Sequence, residues 1–442
     1  MERLLYKELL VWKNKKNRKP LLLEGARQVG KTYLLKEFGK KEFNDYVYFN
    51  FEKTPELGLL FESSLDAKSL LKSLELFIGR KIEEKSTLIF FDEIQTFPRA
   101  VSSLKYFYEE TPEYYVVSAG SLLGVSLNRI SSFPVGKVNF MMLYPLSFFE
   151  YLKEIDEQLL IELIIDKKDY IKLNEVIHNK FIKYYKMYLF LGGMPEVIQD
   201  YIDNNDIVSV RNIQNEILNA YKRDFSKYST PDEAVRISEI WNSIPAQLAK
   251  ENKKFKYSGV IKGGRASKFE SAIEWLRKAG LIYIVKNIKA AKLPLSGYVD
   301  KTKFKLFLLD SGLLGAMLNI HSSLIVNDNK IFSEYNGAFI ENYVSNELIK
   351  IGFEELFYWT SNFEAEIDFI ISNNKNNIIP LEVKSGLSRQ KKSLKVYADK
   401  YKPELLIRIS PRNFTKDCSF VNIPLYAITF LQNMKTSFLN HV

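Results

Sequence analysis

Cysteine is almost absent. Cys418 is the only one in 442 residues, which excludes an internal disulfide and any cysteine-rich zinc site, and suits a reducing compartment. Histidine is nearly as scarce: His178, His321 and His441 stand far apart, at no metal-ligand spacing, and each reads as a surface or packing residue. No apolar run approaches the ~20 residues of a membrane span, and Pro145 breaks the one at residues 141–144. Residues 1–8 are charged and lack the apolar centre of a signal peptide. A cytoplasmic protein with no membrane partner is therefore expected.

What the chain does have is core-forming material. Hydrophobic residues make up 46% and aromatics 14%, too much for a disordered chain, and the length predicts two to four domains. The 63 basic and 53 acidic residues leave a net charge of +10. That excess permits a nucleic-acid partner and serves solubility equally well.

The most informative stretch is Gly25-Ala26-Arg27-Gln28-Val29-Gly30-Lys31-Thr32, between the apolar run Leu21-Leu22-Leu23 and a helical pattern beginning at Tyr33. This is the spacing of a phosphate-binding loop between a strand and a helix. Glycines let the backbone wrap a phosphate, the helix N-terminus adds partial positive charge, and Lys31 adds a full one. Thr32 is placed to give its hydroxyl to Mg²⁺. These residues predict an ATP site.

Further apolar runs at residues 46–51, 88–91 and 115–118 read as strands, and residues 65–77 as a helix with Leu70, Leu71, Leu74 and Phe77 on one stripe. Strands alternating with helices predict a parallel sheet. The run at 88–91 ends in Asp92-Glu93, where Asp92 would hold the metal and Glu93 would polarise the attacking water. Ser118 or Ser121, after the next strand, would sense the γ-phosphate. An arginine acting across a homo-oligomer would be Arg99 or Arg129.

Together, the phosphate loop, Phe91-Asp92-Glu93-Ile94-Gln95, Ser118-Ala119-Gly120-Ser121, Tyr144-Pro145-Leu146-Ser147-Phe148-Phe149-Glu150-Tyr151-Leu152 and Leu191-Gly192-Gly193-Met194-Pro195-Glu196-Val197 resemble the AAA+-like prokaryotic ATPases that carry a C-terminal nuclease-like domain. In relatives an arginine often follows the glycine at Gly136; here it is Lys137. The resemblance implies an α/β chain with four parts. These are an AAA+-like P-loop NTPase core at 1–150, a helical lid at 151–225, a winged-helix-like domain at 226–327, and a restriction-endonuclease-like α/β domain of the PD-(D/E)XK kind at 328–442.

The residues beyond 150 are consistent with that division. Phe181, Tyr184, Tyr185, Tyr188 and Leu189 form an aromatic stripe of the sort that packs a core. Residues 237–250 and 266–279 read as helices, and 281–285 and 304–310 as a two-stranded ribbon. Gly263, Gly264, Arg265 and Lys268 would open a recognition helix, with Arg277 and Lys278 near its end; a domain–domain adaptor fits as well. A polar linker at 327–330 leads to an amphipathic helix bearing Glu341, then to strands at 364–371 and 378–384. Strand alternation puts Glu366 and Asp368 on one face, and Glu382 and Lys384 on one face. Asp368 and Glu382 would hold Mg²⁺, Lys384 would orient or deprotonate water, and Glu341 would complete the site. Arg389, Lys391, Lys392 and Lys395 follow as a basic helix. Two functions remain: an ATPase governing a DNA-interacting, DNA-cutting C-terminal half, or a nucleotide-dependent scaffold for a protein partner.

Overall fold

The computed structural model describes residues 1–121, 123–126, 134, 136–250, 253–320, 336–361, 365–374, 376–386 and 392–432. The linker at 327–330, Arg129, His321, His441, Glu364, Arg389 and Lys391 lie outside them. The chain forms two compact units, Met1–Tyr144 with Glu274–Leu281, and Pro145–Ile273 with Ile282–Val442.

In the first unit five strands run parallel in the order β2-β3-β4-β1-β5. They are β1 (Leu21–Glu24), β2 (Asp45–Asn50), β3 (Thr87–Asp92), β4 (Tyr115–Ala119) and β5 (Asn139–Met142). Every residue of β3 is buried, as a central strand covered on both faces must be. Ile89 and Phe91 join Phe49, Phe51, Phe61 and Phe107 in one core cluster, with ring centroids of Phe51, Phe61 and Phe107 all within 5.9 Å of Phe91. The helix Ala67–Ile78 starts on an Asp66 cap and buries Leu70, Leu71 and Leu74. Phe77 is exposed, because Ile78 makes the core contact of the last turn.

The second unit opens with helices Phe148–Glu154, Gln158–Ile165, Glu175–Leu191, Pro195–Asn204, Ile207–Lys227 and Pro231–Leu248. Ser147 with Glu150, and Thr230 with Glu233, close reciprocal capping boxes at two of these starts. The aromatic stripe is core: Tyr185 and Tyr188 pack against Phe148 and against Tyr343 of the helix Asn336–Lys350. His178 is also a packing residue, its Nδ1 lying 2.8 Å from the Tyr426 hydroxyl.

Eight strands then form one mixed sheet, ordered β12-β13-β11-β10-β9-β8-β6-β7. They are β6 (Ile282–Ile288), β7 (Val299–Leu308), β8 (Leu356–Thr360), β9 (Glu366–Ser372), β10 (Ile378–Val383), β11 (Leu406–Ser410), β12 (Thr415–Asp417) and β13 (Phe420–Pro424). The ribbon expected as a separate wing is the β6–β7 edge of this sheet. The reason is hydrogen bonding: β6 pairs in parallel with β8, Val285 to Leu356 through Ile288 to Trp359. The expected hairpin of β9 and β10 is present, with Leu381 opposite Phe369.

Candidate functional site

The loop between β1 and the helix Lys31–Glu42 is built by backbone that only certain residues tolerate. Gly25 has φ +146°, and a Cβ there would lie 2.3 Å from the Leu143 carbonyl oxygen. Gln28 and Gly30 are left-handed, at φ 65° and 94°, turning the chain into the helix. Lys31 folds back over the loop, donating to the carbonyls of Gly25 and Ala26 at 2.8 Å each. Burial pushes its ammonium down to about 8, against the pull of Glu93 and Asp92.

Asp92 ends β3 beside this loop. Its Oδ2 accepts from Thr32 Oγ1 at 2.9 Å and from the Tyr48 hydroxyl at 2.8 Å, and its Oδ1 from the Glu93 amide at 3.1 Å. Burial raises its carboxyl above the usual range, with the two hydroxyl bonds opposing. Glu93 is left-handed, at φ 52°, so its side chain turns away from the strand. Its carboxylate accepts from Ser121 Oγ at 2.9 Å and from Gln95 Nε2 at 2.6 Å. Of the two candidate sensor serines, Ser121 thus reaches the acidic pair, and Ser118 is wholly enclosed in β4. Arg99 is engaged locally, its Nε donating to the Phe61 carbonyl at 2.8 Å.

Two residues of this site carry no motif. Tyr48, on β2, fixes the second hydroxyl on Asp92; burial drives its own hydroxyl up to about 12, and Lys36 lies 3.7 Å over its ring. Arg3 braces the loop from outside, its Nη1 donating to the Val29 carbonyl at 2.8 Å and Nη2 to the Tyr144 carbonyl at 2.5 Å. A hydroxyl and a carboxylate in contact at the start of a helix, beside a buried ammonium, are a donor set that fits Mg²⁺ with a polyphosphate.

The carboxylates of the second unit are arranged differently from expectation. Lys305 of β7, with a buried side chain, places its Nζ 2.6 Å from Glu366 Oε1, 3.3 Å from Glu341 Oε2 and 3.9 Å from Asp368 Oδ1. Lys253 also pairs with Glu341. Asp368 Oδ2 accepts from the Val383 amide at 2.8 Å. The β9–β10 register, carried one residue further, sets Glu382 across from Asp368. Yet Glu382 meets other cations, Lys384 at 3.2 Å and Arg408 at 3.5 Å. Glu341 and Asp368 thus face Lys305, whereas Glu382 faces Lys384 and Arg408. Among the described residues no three carboxylate, histidine or cysteine side chains are placed to share a metal ion. Burial would lower Lys305, but Glu341, Glu366 and Asp368 hold it well above its ordinary value. Burial would raise Glu341, but Lys253 and Lys305 hold it down; burial and then Glu341 push Asp368 up.

The basic residues proposed for a recognition helix split in two. Arg265 and Lys268 are exposed at the start of the helix Ala266–Lys278, whereas Arg277 and Lys278 pair with Glu274. Among the described residues no helix is long and apolar enough to cross a membrane.

Residues 17–152 match the family described as AAA domain, and residues 182–324 and 336–428 match two domains of unknown function, DUF8612 and DUF4143. No curated protein matches the chain. Among solved structures, a Walker-type ATPase of Pyrococcus abyssi is similar at 14% identity, over 72% of this chain and 95% of that one, with a TM-score of 0.44. The ORC1 protein of Aeropyrum pernix in complex with DNA is similar at 11% identity, over 72% and 90%, with a TM-score of 0.29. AMPPCP-bound DnaA from Aquifex aeolicus is similar at 11% identity, over 62% and 88%, with a TM-score of 0.26. With the loop, the parallel sheet and the acidic pair in place, residues 17–152 have the fold and motif order of an AAA+-like P-loop domain, in keeping with the AAA domain family that they match.

Proposed function

We propose that the first unit hydrolyses ATP and that its nucleotide state governs a DNA-interacting role of the second. The observation that carries the ATPase reading is the acidic pair: Asp92 faces Thr32 of the phosphate loop while Glu93 is held by Ser121. Lys31, released from the Gly25 and Ala26 carbonyls, meets the β- and γ-phosphates. Thr32 and Asp92 supply the oxygen ligands for Mg²⁺, whose chemistry is to neutralise phosphate charge. Glu93 takes the proton of the attacking water as general base, and Ser121 sets where its carboxylate points. Gly25, Ala26, Arg27, Gln28, Val29 and Gly30 line the phosphates with backbone amides.

For the DNA-interacting role the support is charge. Lys256, Lys262, Arg265 and Lys268 are exposed before and at the start of the helix Ala266–Lys278, and Lys289, Lys292, Lys301 and Lys303 are exposed around β6 and β7. Such a set meets phosphates rather than base edges. The second reading, a switch for a protein partner, is favoured by the ion pairing of Glu341, Asp368 and Glu382.

ATP turnover by the wild type, Lys31→Ala and Glu93→Gln tests the catalytic roles. Lys31→Ala should lose nucleotide binding, and Glu93→Gln should keep ATP but turn it over ~10²–10⁴-fold more slowly. Unchanged turnover in both variants overturns the assignment. DNA binding that weakens steeply with salt supports the DNA reading; its absence at low salt leaves the partner switch.

A further inference from the structure

The carboxylates of the second unit fall into two ion-paired groups. Lys305 and Lys253 face Glu341, Glu366 and Asp368, while Lys384 and Arg408 face Glu382. Lys305 is the hub. It is the residue common to Glu341 of a helix and to Glu366 and Asp368 of β9, and its side chain is only 1% exposed. A divalent cation sharing Glu341, Glu366 and Asp368 has to sit beside a buried ammonium that already faces all three. In a buried setting that like-charge cost is large. The donor set therefore does not fit Mg²⁺ or Mn²⁺.

We propose that Lys305 is the resident cation of this centre. The second unit is then an ion-paired scaffold that engages its partner without cutting a phosphodiester. Lys305 does in place what a bound metal would do: it joins the helix Asn336–Lys350 to β9 through their carboxylates, from a strand that is itself part of the sheet. Lys253 closes the outer side of Glu341. This inference stands apart from the ATPase reading, since none of its residues belongs to the phosphate loop or the acidic pair.

The test uses the full chain carrying Asp92→Asn, which silences metal binding at the nucleotide site. Thermal unfolding is followed with Mn²⁺ alone and with chelator, and DNA cleavage is assayed in the Mn²⁺ samples. Equal unfolding temperatures and no cleavage are expected. A rise with Mn²⁺ that disappears in Asp368→Asn, or cleavage that does so, overturns the proposal. Next, Lys305→Met should lower the unfolding temperature, and adding Glu366→Gln to it should recover part of the loss. A residue that acts only by packing would not be rescued by removing its partner's charge, so a failure of rescue also overturns the proposal. If Lys305→Met does not fold, Lys253→Met with and without Glu341→Gln supplies the same comparison nearer the surface, with the same two outcomes. Loss of ATP turnover in the Lys31 and Glu93 variants is measured separately and leaves these results unaffected.

Discussion

Lys31 holds its charge in a place that water barely reaches, and the proposed role of its ammonium predicts a pH dependence for nucleotide binding. Burial lowers its ammonium to about 8 in the free protein, whereas an exposed lysine in the unfolded chain titrates near 10.4. The folded state thus binds fewer protons between those values, and this group's contribution to stability rises with pH across that window. ATP binding has the opposite sign, because the phosphates need the ammonium. Affinity should hold from about pH 6 to pH 8 and then fall by up to about tenfold per pH unit. A nucleotide titration at several pH values checks it, and a level affinity up to about pH 9.5 would show the lysine charged throughout. At this scale the sequence was readable where chemistry is local. Gly25 to Thr32 is one contiguous stretch, and Asp92-Glu93 ends an apolar run. Tyr48, Arg3 and Lys305 were not readable, because each acts on residues far away in the chain through one side chain and no pattern. Lys305 did leave a trace: it sits in Phe304-Lys305-Leu306-Phe307-Leu308-Leu309, where neither face of the strand is polar enough to carry a lysine to solvent.

Secondary-structure elements were legible wherever burial alone dictates them. β1 to β4 fall within a residue or two of the apolar runs, since apolar and aromatic runs covered by helices have little else to become, whereas β5, an edge strand with no buried residue, left no such run to read. The double glycine after the helix Glu175–Leu191 has a more particular cause. Gly193 accepts from the Leu146 amide at 2.7 Å, and a Cβ on it would lie 2.1 Å from the Leu146 carbonyl oxygen. A Cβ on Gly192 would strike the Asp310 carboxylate, whose Oδ2 accepts from the Gly193 amide at 2.5 Å. Both obstacles are held by other bonds, because Asp310 also caps the helix Ser311–Met317. Gly193→Ala should therefore lower stability by about 1–3 kcal/mol. Gly79→Ala, with nothing within 4 Å but φ +70°, should cost only about 1 kcal/mol. Chemical denaturation of the two variants checks the order, and a Gly193→Ala protein as stable as Gly79→Ala would show that the turn relaxes freely.

For the whole molecule, the expected boundary at 327/328 divides segments that share one sheet. The family matches also change over between 324 and 336. The parallel pairing of β6 with β8 was not legible, because it joins strands some seventy residues apart and parallel register leaves no turn signal. A fragment beginning at 328 would lack β6 and β7, expose the edge of β8, and leave Glu341, Glu366 and Asp368 without Lys305. It should show no cooperative thermal transition by circular dichroism, whereas a fragment beginning at Pro145 should show one. Cooperative melting of the shorter piece would mean that the sheet closes without its first two strands.

Arg3 ties the phosphate loop to a part of the chain that no motif marks. Its guanidinium is buried and grips the Val29 and Tyr144 carbonyls, so the third residue of the chain is part of the wall behind the phosphate loop. The shape of the loop thus depends on a side chain set 26 residues ahead of Val29, and any change that moves this guanidinium reaches the loop's rear wall directly.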